Sequence, residues 1–448
     1  MTLNLKRLFL ASFALATVLV MALPAQAQTS IQRVISPGGI EAWLVEERGL
    51  PIIGLEVSWA GGSASDPQGK GGLAYLLSAT LDEGAGALDS AGFRRALTDK
   101  AISISFEAGR DDFSGSMKTL TENRDAAFEL LRLALTVPRF DPEPVERMKR
   151  DILTAIVRDA QNASSVAGRV WLKAALGDVP YARPRKGTAE TVAALIPGDL
   201  KDFHRRLISR EGMKVSVVGD IDAKTLARLL DETFGELPRQ SGIPADGAQV
   251  PIAGASFAGV TMNTPQTVIR FGFKGLLRHD PDFVPAFVLN HILGGGSFSS
   301  RLYEEVREKR GLAYGVSTSL RPYERAALWV GGTATRAERA AETLEVIRAE
   351  LDRMAKDGPT QTELDDAKTY LTGAYPLRFD TNSKIAGQLA GIQRQDLGID
   401  YIEKRNGLVE AVTLDDLKRV AAQLIKTDSL IVVAVGQEAS IAALKPES

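Results

Sequence analysis

Apolar residues along the chain follow two periods, about two over short runs and about 3.6 over longer ones. "AISISFEAGRDDFSGSMKTL", beginning at Ala101, alternates across a Gly-Arg-Asp turn and predicts a β-hairpin. "LAYGVSTSLRPYERAALWVGGTA", beginning at Leu312, predicts a second one. Each precedes an amphipathic helical stretch, "NRDAAFELLRLAL" in the first case and "AERAAETLEVIRAELDRMAK" in the second. A further long helical stretch follows each, around 141–160 and 360–378.

The same order of elements occurring twice points to an internal duplication, and one stretch shows it without a gap. "DLKDFHRRLISREGMKVSVVGDI" from Asp199 aligns with "DLKRVAAQLIKTDSLIVVAVGQE" from Asp416, pairing Ile208 with Ile425 and Gly219 with Gly436. Both copies read as helix, short turn, β-branched strand and closing glycine. The expected fold is therefore α+β: two homologous domains, each a mostly antiparallel sheet with helices packed on one face. They are expected over residues 30–238 and 255–448, joined by a Pro- and Gly-containing linker at 239–254.

The first residues follow neither pattern. Lys6 and Arg7 precede an apolar run from Leu8 to Leu23, and Ala25-Gln26-Ala27 offers a small-x-small cleavage site. The run is shorter than the roughly 20 residues of a membrane span. Residues 1–27 are therefore expected to be a signal peptide, with the mature chain starting near Gln28 in the bacterial periplasm. No stable membrane span is expected elsewhere. The chain has no cysteine, so disulfides, thiolate catalysis and cysteine zinc sites are excluded. Its net charge of -2 gives no general attraction to nucleic acid or anionic membranes.

The candidate chemistry begins in "GKGGLAYLLSATLDEGAG", residues 69–86, a glycine turn, an apolar helix and another glycine turn. The order "GGSASDPQGKGGLAYLLSATLDEG", a strand pair and "VERMKRDILTAIVRDAQ" resembles the N-terminal half of the pitrilysin/insulinase-like zinc metallopeptidases, which include the processing peptidases. "FVLNHILGGGSFSSRLYEEVREKRGLAYGVSTSL" resembles the C-terminal domain of that family still more closely. The resemblance spans essentially the whole mature chain and implies two sheet-and-helix domains enclosing a cavity, within the chain or between subunits.

Active members carry His-x-x-Glu-His on the helix after the glycine turn, two zinc ligands on one helix face with a general base between them, and a glutamate ligand further on. That pattern falls here on Tyr75, Ser78 and Ala79, with the distal position at or beside Ala155. None of these can form the zinc site. The three histidines, His204, His279 and His291, have no partner four residues away. The helix reads as a vestigial catalytic helix packed into the core, with Asp82 and Glu83 as solvated acids at its end.

In the family's C-terminal domain an arginine and a tyrosine seven residues apart face the substrate beside the zinc. The pattern falls on Arg307 and Tyr314. A guanidinium and a phenol suit the oxyanion that amide hydrolysis develops. Spacing alone reads Arg307 as a partner of Glu304 or of the helix C-terminus, with Gly311 as the residue past the helix end, and Tyr314 as a strand aromatic. Gly294, Gly295 and Gly296 either let the backbone take unusual dihedrals and approach a ligand, or simply connect two elements. In processing peptidases a glycine-rich loop of the non-catalytic subunit handles substrate, which makes these three candidates for substrate contact.

Together the resemblance implies a non-catalytic subunit of an exported heteromeric zinc peptidase. It would be inactive alone and have no cofactor of its own. Its partner would be a homologous zinc-binding peptidase subunit, and Arg307 and Tyr314 would act on peptide substrates in trans. The alternatives are a structural core-type homologue and a stand-alone peptide-binding pseudo-peptidase.

Overall fold

The computed structural model describes residues 30–244 and 247–445; the expected signal peptide lies outside them. Eleven strands are found among the described residues: β1 (Gln32–Ile35), β2 (Glu41–Glu46), β3 (Ile52–Ala60), β4 (Ser103–Ala108), β5 (Asp112–Leu120), β6 (Lys214–Gly219), β7 (Ser256–Thr261), β8 (Gln266–Lys274), β9 (Ala313–Pro322), β10 (Ala327–Arg336) and β11 (Ile431–Gly436). They form two sheets, ordered β1-β2-β6-β3-β5-β4 and β7-β11-β8-β10-β9. Without β1 the two orders are the same. In each, the last strand of its half inserts between the first two, giving one parallel pair, β2 with β6 and β7 with β11, among antiparallel neighbours.

Both expected hairpins form, β4–β5 and β9–β10, and each ends its sheet with a free outer strand, β4 or β9. The duplicated stretch folds as helix Pro197–Leu207 into β6 and helix Leu414–Leu424 into β11. The second of these helices begins with a capping box from Thr413 to Asp416.

Each sheet packs its own half's helices on one face. Leu44, Leu55, Val57, Val215 and Val217 bury one side of the first sheet against Leu76, Phe128 and Phe203. Ile269, Phe271, Val432 and Ala434 do the same in the second against Leu289, Ile347 and Leu417. The opposite faces are covered too, by an exchange the sequence pattern did not announce. Helix Ala163–Leu176 of the first half lies on β8 and β11 of the second sheet, where Trp171 packs with Ile431, Val433 and Val435. Helix Asn382–Arg394 of the second half lies on β3 and β6, where Ile385, Ala386, Leu389 and Ile392 pack with Trp43, Val45 and Val218.

The exchange is pinned by polar contacts that only fixed positions allow. Trp171 Nε1 donates to the Ile431 carbonyl at 3.1 Å. Gly272 leaves room for its ring, because a Cβ there would come within 2.7 Å of Trp171. Gln393 Nε2 donates to the Val215 carbonyl at 3.0 Å and to Ser216 Oγ at 2.6 Å. These bonds satisfy buried groups that would otherwise oppose burial.

Candidate functional site

The vestigial helix is short. It runs from Leu73 to Ser78, and Ala79 is its C-terminal cap. Gly72 precedes it with φ +93°, a conformation that only glycine adopts cheaply, and a Cβ there would clash with the carbonyl of Lys186. Asp66 accepts from the amides of Gly72 at 2.7 Å and Ala74 at 2.8 Å, tying down the helix start. Burial pushes its carboxyl up to about 7, against the opposing pull of those amides.

The four positions expected of a zinc site hold no ligand chemistry. Tyr75 packs against the core, Ser78 Oγ donates back to the Tyr75 carbonyl at 2.8 Å, and Ala79 and Ala155 end in methyl groups. Zinc therefore does not fit the side chains present. Among the described residues no three His, Cys, Asp or Glu side chains come together as a metal-binding group.

The acids after this helix depart from expectation. Glu83 is buried rather than solvated, accepting from Arg147 at 2.5 Å, Ser90 at 2.5 Å and Arg94 at 3.2 Å. Burial alone would raise its pKa, but these hydrogen bonds and the two guanidinium charges bring it below the ordinary value. Burial pushes neighbouring Asp82 up to about 6. Two of the histidines are packing residues as well. His204 bonds the Leu135 carbonyl at 2.9 Å, with burial lowering its pKa to about 4, and His291 stacks on Tyr370.

The second half presents a different arrangement. The stretch expected to be one helix is a single α-turn, Arg301–Tyr303, running into a π-turn over Glu304–Glu308. The Lys309 amide reaches back five residues to the Glu304 carbonyl at 2.9 Å. Single π-turns of this kind are frequent at functional sites. Gly311 ends the segment with φ +57°, in the left-handed role expected of it.

Arg307 projects from that π-turn. The carboxylate it was expected to serve, Glu304, pairs with Lys309 instead, and neighbouring Glu305 pairs with Lys309 and Arg310. Instead Arg307 lies 4.5 Å from the ring centre of Tyr314, 4.9 Å from that of Tyr303 and 5.9 Å from that of Phe298. Its Nη1 donates to the Tyr314 carbonyl at 3.1 Å, and Glu308 is 3.6 Å away. Tyr314 lies on β9 where the register with β10 slips between Thr333 and Thr335, a bulge that turns its side chain outward. It is 84% exposed and Phe298 is 75% exposed.

The three glycines serve a different end from free dihedrals. None of Gly294, Gly295 and Gly296 has a positive φ; the left-handed residue of the loop is Ser297, at φ +51°. They are small because the chain is crowded. A Cβ at Gly294 would lie 2.7 Å from Thr318 Oγ1, at Gly295 2.5 Å from Asn290 Nδ2, and at Gly296 2.8 Å from the His291 carbonyl. A second π-turn, His291–Gly295, sits in this crowded segment. Asn290 anchors it from below, its Oδ1 accepting from Thr318 Oγ1 and Trp329 Nε1, both at 2.8 Å. Asn290, Phe298 and Tyr303 carry no sequence mark of belonging to this group, because each reads as an ordinary helix or loop residue in isolation.

Residues 195–371 match the family described as "Peptidase M16 inactive domain". That stretch is similar to an M16 inactive domain. Over 359 residues it is 25% identical to the "Non-peptidase homolog YmxG" of Helicobacter pylori, covering 80% of this chain and 83% of that protein. It is 29% identical over 289 residues to an "Uncharacterized zinc protease" of Mycobacterium tuberculosis, covering 63% and 65% respectively. The crystal structure of an M16 inactive domain from Pseudomonas fluorescens superposes with a TM-score of 0.86 at 28% identity, covering 91% of this chain and 98% of that one. A Helicobacter pylori protease shares the fold, at TM-score 0.82 and 20% identity. The M16 relationship agrees with the resemblance read from the sequence and with the two sheet-plus-helix lobes.

Proposed function

We propose that this chain is the zinc-less subunit of an exported heteromeric M16 peptidase, completing a zinc-binding homologue's site and binding peptide substrates there. The observation that supports the reading is the state of Arg307 and Tyr314. The guanidinium is kept from Glu304 and Glu305, held by aromatic rings and a backbone carbonyl, and the phenol is turned to solvent. Such a pair is preorganised to donate to an oxyanion brought by another molecule. The zinc would belong to the partner, since Tyr75, Ser78, Ala79 and Ala155 cannot bind it. Gly295 and Gly296 would line the path of the extended substrate next to outer strand β9, with Gly294 buried beneath them as support.

The deciding experiment is zinc-dependent hydrolysis of a quenched-peptide library by this chain alone, by a zinc-motif M16 homologue of the same organism alone, and by the mixture. Activity confined to the mixture and lowered by Arg307→Ala supports the subunit reading. An unchanged rate with Arg307→Ala removes the in-trans role. One observation favours a non-proteolytic alternative, the Helicobacter pylori relative named as a non-peptidase homolog. Silence in all three reactions would shift the assignment to a structural or peptide-binding protein.

A further inference from the structure

A cavity of about 590 Å³ opens where the exchanged helix Ala163–Leu176 meets the second sheet, and the charged side chains in its walls are cationic with one exception. Arg110, Arg169, Arg183, Arg185, Lys186 and Arg270 line it, with Asp159 as the acid among the lining residues. Asp159 is engaged by Lys186 at 2.7 Å, and Arg185 has Glu107 3.7 Å away. Among the described residues no carboxylate lies within ion-pair distance of Arg110, Arg169, Arg183 or Arg270.

Arg270 is the most telling of these. It stands on β8, on the face that receives the exchanged helix, with its guanidinium close to Gly168 and Gly332. A Cβ at Gly332 would come within 2.9 Å of Nη1, and one at Gly168 within 3.8 Å of Nη2. The side chain is half-buried, and burial together with the like charge of Arg321 lowers its pKa. Withdrawing a guanidinium from water beside another cation, with no counter-charge from the protein, is costly unless an anion arrives. Arg110 is fixed in place by the carbonyls of Tyr181 and Arg183, so the cavity wall keeps its charge without a mobile partner. Ser164 and Ser165, in the first turn of the exchanged helix, add hydroxyl donors to the same rim.

We propose that this cavity is a binding site for clustered oxyanions, two or more carboxylate or phosphate groups on one ligand. Guanidinium forks match both groups in geometry, and the volume suits a small molecule or two acidic side chains of a peptide. The site is independent of Arg307 and Tyr314 and stands whether or not the chain assists proteolysis.

The test is titration calorimetry of the mature chain with citrate, pyrophosphate and tetraglutamate at about 50 mM salt, where screening is weak. The expected result is saturable binding of at least one probe below about 1 mM, weakened at least about 10-fold by Arg270→Gln and by Arg169→Gln. Arg205→Gln, on an exposed helix surface, should leave the affinity unchanged. Citrate or pyrophosphate alone would identify a free polyanion as the ligand type, and tetraglutamate alone an acidic peptide. No binding of any probe below about 5 mM, or equal affinities in wild type and both variants, would overturn the proposal. Where Arg270→Gln does not fold, the exposed Arg169→Gln decides by itself.

Discussion

Arg307 touches Tyr314 twice, donating to its carbonyl oxygen at 3.1 Å while its guanidinium lies 4.5 Å from the ring centre of the same residue. The two residues come from different elements, a π-turn and a bulged strand, and the contact holds both near the surface. Because Tyr314 is exposed and Arg307 pairs only loosely with Glu308, neither should matter much for folding. Arg307→Ala and Tyr314→Phe are expected to change unfolding free energy by less than about 1 kcal/mol, as surface substitutions do. In the assembled peptidase proposed above, Arg307→Ala should lower kcat by about 10-fold or more with little change in KM, the mark of a contact made in the transition state. Urea unfolding combined with steady-state kinetics of the mixture checks both halves. A large loss of stability with unchanged kinetics would make the pair structural.

The Glu83 cluster makes the opposite prediction. The carboxylate is buried and accepts from Arg147, Arg94 and Ser90, but both arginines reach solvent. Removing its charge strands guanidinium groups that can partly rehydrate, so the penalty falls below that of a fully buried pair. Glu83→Gln should cost on the order of 2 kcal/mol. The measurement is the shift in urea midpoint at pH 7, and a shift indistinguishable from zero would show that the acid is solvated after all.

The contrast between those two sites shows what the sequence discloses. Glu83 and Arg147 are 64 positions apart, and nothing in the local pattern of "TLDEGAG" links them. Periodicity and the repeat disclosed the hairpins, the two long helices of each half and the duplicated helix–strand unit, because each is dictated by short-range patterning. The loss of zinc ligands was legible only through the family resemblance, which lays the zinc motif on Tyr75, Ser78 and Ala79. The exchange of helices was not, because Ala163–Leu176 has the same amphipathic signature whichever sheet it covers. The cationic cavity depends on that exchange and was equally out of reach. The crowding of the first π-turn escaped for a different reason: Gly294 is pressed by Thr318 and Gly295 by Asn290, residues that lie elsewhere in the chain or in the preceding turn.

Acid should loosen the segment that carries Arg307. Arg301, at its start, donates to Glu363 through Nε at 2.5 Å and Nη2 at 2.7 Å, with Glu350 at 3.4 Å. Burial would raise the Glu363 pKa, but the bonds from Arg301 and from the Thr360 amide and hydroxyl outweigh it and hold the carboxyl down at about 2. A carboxyl whose folded pKa lies below its unfolded value contributes stability above the unfolded pKa, near 4.5, and loses it as pH falls toward 2. Glu363→Gln should therefore be destabilising by roughly 2–3 kcal/mol at pH 7, with the difference from wild type shrinking between about pH 4.5 and 2. Paired urea titrations of wild type and variant across that range give the result directly. A difference that stays constant with pH would mean that the Arg301 contact is not electrostatic.

The exchanged helices should make the two halves unfold as one unit. Each half covers a sheet face of the other, so neither can open without exposing apolar surface on both. Trp171→Ala removes a buried ring and its bond to Ile431, and should cost about 3–5 kcal/mol. Gln393→Ala leaves the Val215 carbonyl and Ser216 hydroxyl without their donor, at about 1–3 kcal/mol. If the halves are coupled, each substitution lowers the single unfolding transition followed by calorimetry, although Trp171 belongs to the first half and Gln393 to the second. If they are not, each variant would split the transition in two, with only the sheet that lost its covering helix melting early. The single transition is the expected outcome, because a lobe stripped of its exchanged helix exposes Trp43, Val45 and Val218 on the first sheet or Ile431, Val433 and Val435 on the second.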